Sequence, residues 1–246
     1  TQICMLTAEA AILRALEVKG YKADVTAGLS LGEYGALIAC GALSRKDAFA
    51  LVRKRGIYMQ EAVPEGGAMA AVLALDTAQI EEACKKTEGI VSIANYNCPG
   101  QIVITGEEKA VAAAGELCKE AGAKRVVPLK VSGPFHSAML KGAGEKLGEE
   151  LKHVTVHTPA IPYVANVTAD YVTKEEEIKP LLEKQVSSSV RWQQTIERLI
   201  ADGADKFVEI GPGRTLSGFV KKVNRDVKVS SIDKMEDFVR FVAEHC

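Results

Sequence analysis

Residues 68–131 carry a pattern that few folds can satisfy. Apolar runs bounded by turn residues alternate with helix-period stretches in the order β-α-β-β-α-β. Strands are expected at 68–75, 90–95, 101–105 and 124–131, and helices at 77–86 and 107–121. That order is the split βαβ of ferredoxin-like units. On either side of this block strands and helices alternate singly, which argues for an α/β layer with a mainly parallel sheet. We therefore expect an α/β fold in two parts. Residues 1–66 and 132–246 form a large subdomain, and 67–131 form a smaller, ferredoxin-like subdomain inserted into it.

The flanking elements follow from caps and breakers. Thr7 can cap a helix that runs through Leu13 and Leu16 and stops at Gly20. A short buried strand is expected at 23–27 and a helix at 33–40, closed by Gly41. Ser44-x-x-Asp47 is an Asp-type capping box that opens a helix to Ala62. After Gly133-Pro134, helices are expected at 138–151, 175–186, 192–202, 214–223 and 235–244, and strands at 163–166, 206–210 and 227–232.

Composition removes several function classes. With 246 residues and 47% apolar side chains the chain can bury a core without staples. A net charge of −1 argues against nucleic acid or an anionic membrane surface as partner. No uncharged apolar run approaches the roughly 18 residues of a membrane helix. Six cysteines at positions 4, 40, 84, 98, 118 and 246 include no C-x-x-C pair, so neither a metal knuckle nor a dithiol site is expected. Reduced, mostly buried thiols in a cytoplasmic protein are the expectation.

The chemistry concentrates in three places. Gly28-x-Ser30-x-Gly32 stands between an expected strand and an expected helix, the context of a nucleophile elbow. There the Ser30 hydroxyl is lifted out of the turn, and the Leu31 N–H can face an oxyanion. A serine nucleophile needs a base. Of four histidines, His153 and His157 lie in an alternating, strand-like stretch and read as surface residues. His245 adjoins the C-terminus and is expected to fray. His136, in the loop where the inserted block returns to the main sheet, is the remaining candidate. On the helix from Arg45 to Ala62, Arg55 falls in the middle of the apolar stripe of Ala48, Leu51, Val52 and Met59. A core-facing guanidinium needs a partner. Helical spacing leaves two equal alternatives, an internal carboxylate or a snorkelling side chain on the one hand and a substrate carboxylate on the other.

The segments Ala27-Gly-Leu-Ser-Leu-Gly-Glu-Tyr34, Arg55-Gly-Ile-Tyr-Met-Gln-Glu-Ala-Val63, Asn95-Tyr-Asn-Cys-Pro-Gly-Gln101, Gly133-Pro-Phe-His136 and Glu209-Ile-Gly-Pro-Gly213 together resemble the malonyl-CoA:acyl carrier protein transacylases. The resemblance covers essentially the whole chain in order. It implies an α/β-hydrolase-like large subdomain with the ferredoxin-like insertion. It implies Ser30 as the acylated nucleophile, His136 as the general base, Arg55 as the grip on the free carboxylate of malonate, and the backbone carbonyl of Gln185 as the group orienting His136. Asn95, Asn97 and Gln101 line the substrate region by the same analogy, where turn or loop roles are at least as open, and Phe135 would crowd an α-methyl group. The chain departs from the family in having Leu29 where a histidine usually precedes the serine. Roughly the first sixty residues of the family pattern, with a strand and a glutamine of the oxyanion hole, have no counterpart here, so slow acylation and association through an open sheet edge are expected of the chain alone.

The activity so implied is malonyl transfer from malonyl-CoA to the phosphopantetheine thiol of acyl carrier protein, through a malonyl-serine, for fatty acid biosynthesis. It needs no metal and no cofactor, and it suits a cytoplasmic monomer. Alternatives are a polyketide-type acyltransferase domain, a serine esterase or thioesterase, and a non-catalytic carrier-protein-binding fragment.

Overall fold

The computed structural model describes residues 1–131 and 133–245. Helix α1 (Gln2–Val18) is followed by strand β1 (Thr26–Ala27), α2 (Gly32–Ala39) and α3 (Arg45–Ala62). Thr7 does not cap α1. It lies inside the helix and its Oγ1 donates to the Ile3 carbonyl at 2.8 Å, the back-bonding open to a mid-helix threonine. The helix starts earlier because Leu6 and Ala10 belong to the buried stripe that the sequence reading began at Leu13. Ser44 does cap α3, accepting the Asp47 N–H at 3.0 Å. Gly41, at φ +76°, turns the chain between α2 and α3 in the left-handed region.

The inserted block folds as β2 (Gly67–Leu73), α4 (Thr77–Lys86), β3 (Val91–Cys98), β4 (Gln101–Glu107), α5 (Glu108–Glu120) and β5 (Arg125–Pro128). Its strands form one antiparallel sheet in the order β3-β4-β2-β5. Period-2 alternation divides the sheet into two faces. Ala70, Val72, Ile93, Ile102 and Ile104 pack under α4 and α5, against Ile80, Ala83, Val111 and Ala114. Met69, Ala71, Ala94 and Val103 point the other way and meet Phe135. The hairpin of β3 and β4 runs further than expected, because Tyr96 and Cys98 continue the ladder opposite Ile102 and Gln101 through two register shifts.

A 3-10 turn at Ala138–Leu140 leads into α6 (Lys141–Lys152), β6 (Tyr163–Val164), β7 (Tyr171–Val172), α7 (Glu175–Gln185), α8 (Trp192–Ala201), β8 (Lys206–Ile210), α9 (Thr215–Val223), β9 (Lys228–Ile232) and α10 (Met235–Glu244). The parallel pairs β1–β6 and β8–β9 sit in separate small sheets, and the unexpected β7 adds to β6 antiparallel. The segment holding His153 and His157 is not a strand. His153 closes α6, and His157 lies on an exposed loop beside a single bridge of Leu43 to Val156. Nor does His245 fray, since its Nδ1 is 2.8 Å from the Phe241 carbonyl and its ring stacks on Phe241. Cys40, Cys84, Cys98 and Cys118 are buried and unpaired and Cys4 is exposed, while Ser132, at the expected subdomain boundary, and Cys246 lie outside the described residues. Among the described residues no helix is long and apolar enough to cross a membrane.

The two parts are joined by residues 187–191. Val190 donates its N–H to Ala94 and accepts from Tyr96, so this segment extends β3 by one parallel bridge. Ser189 Oγ donates to the Ile93 carbonyl at 2.6 Å. Val190→Pro removes a donor and leaves the buried Ala94 carbonyl unpaired, which should cost about 1–3 kcal/mol in denaturant unfolding. Unchanged stability would show that the junction carries no load.

Candidate active site

The elbow is built by steric necessity at one glycine. A Cβ at Gly28 would sit 2.0 Å from the Gly32 carbonyl oxygen, whereas one at Gly32 would meet nothing within 4 Å. Of the two glycines of the G-x-S-x-G run, only Gly28 is sterically required. Ser30 takes a left-handed φ of 54°, the strained conformation that turns a nucleophile outward. Asn166, beyond the end of β6, clamps the turn. Its Oδ1 accepts the Ser30 N–H and its Nδ2 donates to the Gly28 carbonyl, each at 2.6 Å. One side-chain amide thus does for residues 28 and 30 what a neighbouring strand would do.

Ser30 Oγ lies 2.8 Å from His136 Nε2. The other ring nitrogen, Nδ1, is 2.9 Å from the Gln185 carbonyl oxygen. A carbonyl only accepts, so Nδ1 carries the hydrogen and Nε2 is left with its lone pair toward the serine. His136 also has a left-handed φ, 60°, and is only 4% exposed. Burial, and secondarily the nearby Arg55 charge, push its pKa down to about 4, which keeps the ring neutral and able to take a proton.

Arg55 is 2% exposed, while Arg53 and Lys54 on the same helix are exposed. Its Nη2 donates to Ser30 Oγ at 2.9 Å and to Gln185 Oε1 at 3.0 Å, and its Nη1 donates to Gln2 Oε1 at 2.7 Å. Its Nε has no partner, and its guanidinium carbon stands 5.8 Å from the Tyr34 ring centre. Among the described residues no carboxylate forms an ion pair with it. The alternative of a direct internal carboxylate partner is thereby removed. Glu33, fully buried, reaches Arg55 only through Gln185, whose Nε2 donates to Glu33 Oε2 at 2.7 Å.

Gln185 thus uses its side chain as well as its backbone carbonyl. Besides Arg55 and Glu33 its amide reaches the Ser30 carbonyl at 2.9 Å. Sequence reading placed only the carbonyl. It missed the side chains of Glu33, Asn166 and Gln2 altogether. The one available signal is an acidic residue, Glu33, opening an otherwise apolar helix.

The remaining candidates are dispersed. The Leu31 N–H donates to no protein acceptor among the described residues, so it is free to meet an oxyanion. Phe135 packs between the large core and the free face of the small sheet. Asn95 and Asn97 are buried on β3. Gln101 lies at the start of β4, where its Oε1 accepts from Lys222 of α9 at 3.2 Å. No hydrogen bond links any of these three side chains to Ser30, His136 or Arg55 among the described residues. No group of three or more potential metal ligands occurs among the described residues either.

The steric contrast at the elbow gives a direct check. Gly28→Ala should cost at least about 3 kcal/mol or prevent folding, and Gly32→Ala should stay within about 0.5 kcal/mol of the parent. Thermal unfolding of the two variants reads this, and equal losses would show that the turn relaxes around a methyl group.

The chain is similar to known proteins over nearly its whole length. The acyl transferase domain family matches residues 1–236. The malonyl CoA-acyl carrier protein transacylase of Bacillus subtilis is 50% identical over 239 residues, 96% of this chain and 75% of that one. The crystal structure of the corresponding enzyme from Streptococcus pneumoniae superposes with a TM-score of 0.96 at 47% identity, over 99% of this chain and 81% of that one. Another, a malonyl-transacylase in complex with its type II PKS acyl-carrier protein, gives 0.96 at 42% identity, over 99% and 80%. With this extent of identity and a shared two-part architecture, the chain belongs to the acyl transferase domain family, among its malonyl CoA-acyl carrier protein transacylases.

Proposed function

We propose that the chain transfers a malonyl group from malonyl-CoA to the phosphopantetheine thiol of acyl carrier protein, with Ser30 as the acylated residue and His136 as the base. The observation that carries this reading is the buried Arg55. It is hydrogen-bonded to the nucleophile itself and has no carboxylate in direct contact among the described residues, so its N–H groups are available to an acyl chain that ends in one. An esterase of ordinary acyl chains has no use for such a cation, and its histidine would face an acid rather than a carbonyl.

The reaction follows from the hydrogen bonds. His136 Nε2 takes the Ser30 proton as Oγ attacks the thioester carbonyl, and the Leu31 N–H stabilises the oxyanion. Collapse expels the CoA thiolate, which takes the proton from His136. The carrier-protein thiol then passes its proton to His136 and attacks the malonyl ester. Collapse returns the serine oxygen, which is protonated by His136. Arg55, whose Nη2 donates to Ser30 Oγ, holds the free carboxylate through both half-reactions. Phe135 would crowd an α-substituent. Phosphopantetheine arrives on both substrates, so no resident cofactor is needed. A place in fatty acid biosynthesis, in the cytoplasm and as a monomer, completes the proposal. Unpaired, buried thiols are consistent with a reducing compartment.

Intact mass after incubation with malonyl-CoA should rise by one malonyl group, and digestion should place it on Ser30. Ser30→Ala should show no adduct and lose at least about 10⁴ in transfer. Arg55→Ala should depress malonyl transfer by orders of magnitude more than acetyl transfer. An equal loss on both would make Arg55 a structural residue, and an adduct on a cysteine would remove Ser30 from the mechanism.

The acid limb of acylation tests the base. A histidine held at about 4 stays neutral as pH falls through its ordinary 6.5. Acylation kcat/KM should therefore persist below pH 6 and decline only toward 4. Stability has the opposite window. Unfolded His136 binds a proton below 6.5 and the folded ring does not, so folding is weakened as pH drops from 6.5 to about 4. An acid limb at 6.5 would show that the buried ring titrates normally.

A further inference from the structure

Malonyl loading places a second negative charge in a site that already contains one. Glu33 is fully buried on the first turn of α2, where the Arg55 charge acts on it. The two are separated by a single amide. Arg55 Nη2 donates to Gln185 Oε1 at 3.0 Å, and Gln185 Nε2 donates to Glu33 Oε2 at 2.7 Å. The backbone N–H of Asn166 donates to the same oxygen at 3.3 Å. The other oxygen, Oε1, is buried and accepts no hydrogen bond among the described residues. Around it are groups that are neutral in the ordinary pH range. Tyr34 on α2 and Tyr163 on β6 both feel the Glu33 charge, and both have buried hydroxyls without partners. The end of α7 contributes only the Gln185 amide. His136 is neutral and bonded to Ser30 and to the Gln185 carbonyl, and Cys40 and Glu177 act on Tyr163 rather than on Glu33.

We propose that Glu33 is the counter-charge of Arg55 in the free enzyme and takes up a proton from solvent when a carboxylated acyl group is bound to Ser30. Resting on the function proposed above, this makes Glu33 a positioning and specificity residue for malonate. In the free enzyme the buried site holds one positive and one negative charge and is balanced. A malonyl carboxylate on Arg55 would leave it with an excess negative charge, out of water, where that imbalance is expensive. Protonating Glu33 restores the balance and costs no hydrogen bond. Oε2 remains the acceptor for Gln185 and Asn166, and the unpartnered Oε1 carries the hydrogen. Burial already lifts the Glu33 pKa to about 7, against the lowering effects of Gln185, Asn166 and Arg55, so a further rise on loading moves it across the working range. An acetyl group brings no charge and should cause no uptake.

The experiment uses the whole chain with malonyl-CoA and acetyl-CoA at pH 8, counting protons from calorimetric heats in buffers of different ionisation enthalpy, with intact mass reporting the acyl-enzyme. About one more proton should be taken up per malonyl group than per acetyl group, the ionisation of the released CoA thiol being common to both, and the ratio of the malonyl to the acetyl loading constant should fall about tenfold per pH unit above the free-enzyme pKa of Glu33. Glu33→Gln keeps both acceptor contacts and should abolish the extra uptake and flatten the pH dependence. Infrared difference spectra of the unmutated acyl-enzyme, which do not depend on the variant folding, should show a new protonated-carboxyl band on malonylation and none on acetylation. A malonyl adduct without the extra uptake, without the band, or with the extra uptake intact in Glu33→Gln overturns the role of Glu33 alone. Absence of any malonyl adduct overturns the functional reading itself.

Discussion

The site depends on one uncharged side chain, Gln185, which is fully buried at the last turn of α7. Its backbone carbonyl sets the tautomer of His136, and its amide touches Arg55, Glu33 and the Ser30 backbone. Ser30, His136, Arg55 and Glu33 are thus tied to one residue. An amide suits this position because it accepts on one side and donates on the other without adding charge. A carboxylate here would neutralise Arg55 and oppose the binding of an anionic acyl group in the proposed reaction. An apolar side chain would leave buried donors and acceptors unpaired.

The same logic recurs at Asn166, where an amide stands in for a strand that would otherwise pair with the elbow. Both amides use buried polar groups to hold backbone that regular structure does not reach. The left-handed φ values of Ser30 and His136 are sustained this way, one by Asn166 and the other by the bond from Nδ1 to Gln185. Strain of this kind persists only where surrounding contacts over-determine it.

The inserted sheet contributes shape rather than catalytic groups. Its α4–α5 face is closed by its own helices. Its other face meets Phe135, the residue before His136, and β3 is bonded to the segment that follows Gln185. The His136 loop and the Gln185 segment are therefore both braced by one sheet, which links the packing of residues 67–128 to the geometry of Ser30 and His136.

Local signals were legible in the chain itself. The β-α-β-β-α-β order, the Ser44 cap, the Gly41 turn and the elbow at Ser30 are written in contiguous residues, because caps, turns and periodicity are short-range effects. The burial of Arg55 was legible too, since helical spacing alone puts it on the apolar stripe. What Arg55 touches was not, because Gln2, Ser30 and Gln185 lie 53, 25 and 130 residues away along the chain. The Thr7 cap and the strand-like reading of His153 and His157 failed for the same reason, as packing overrode a weak local preference. Sequence by itself determined which side chains could do chemistry and on which elements they stand. Only the tertiary structure decided that a neutral glutamine, and not an acid, lies between Arg55 and Glu33, because long-range hydrogen bonds in a buried site depend on where distant elements meet.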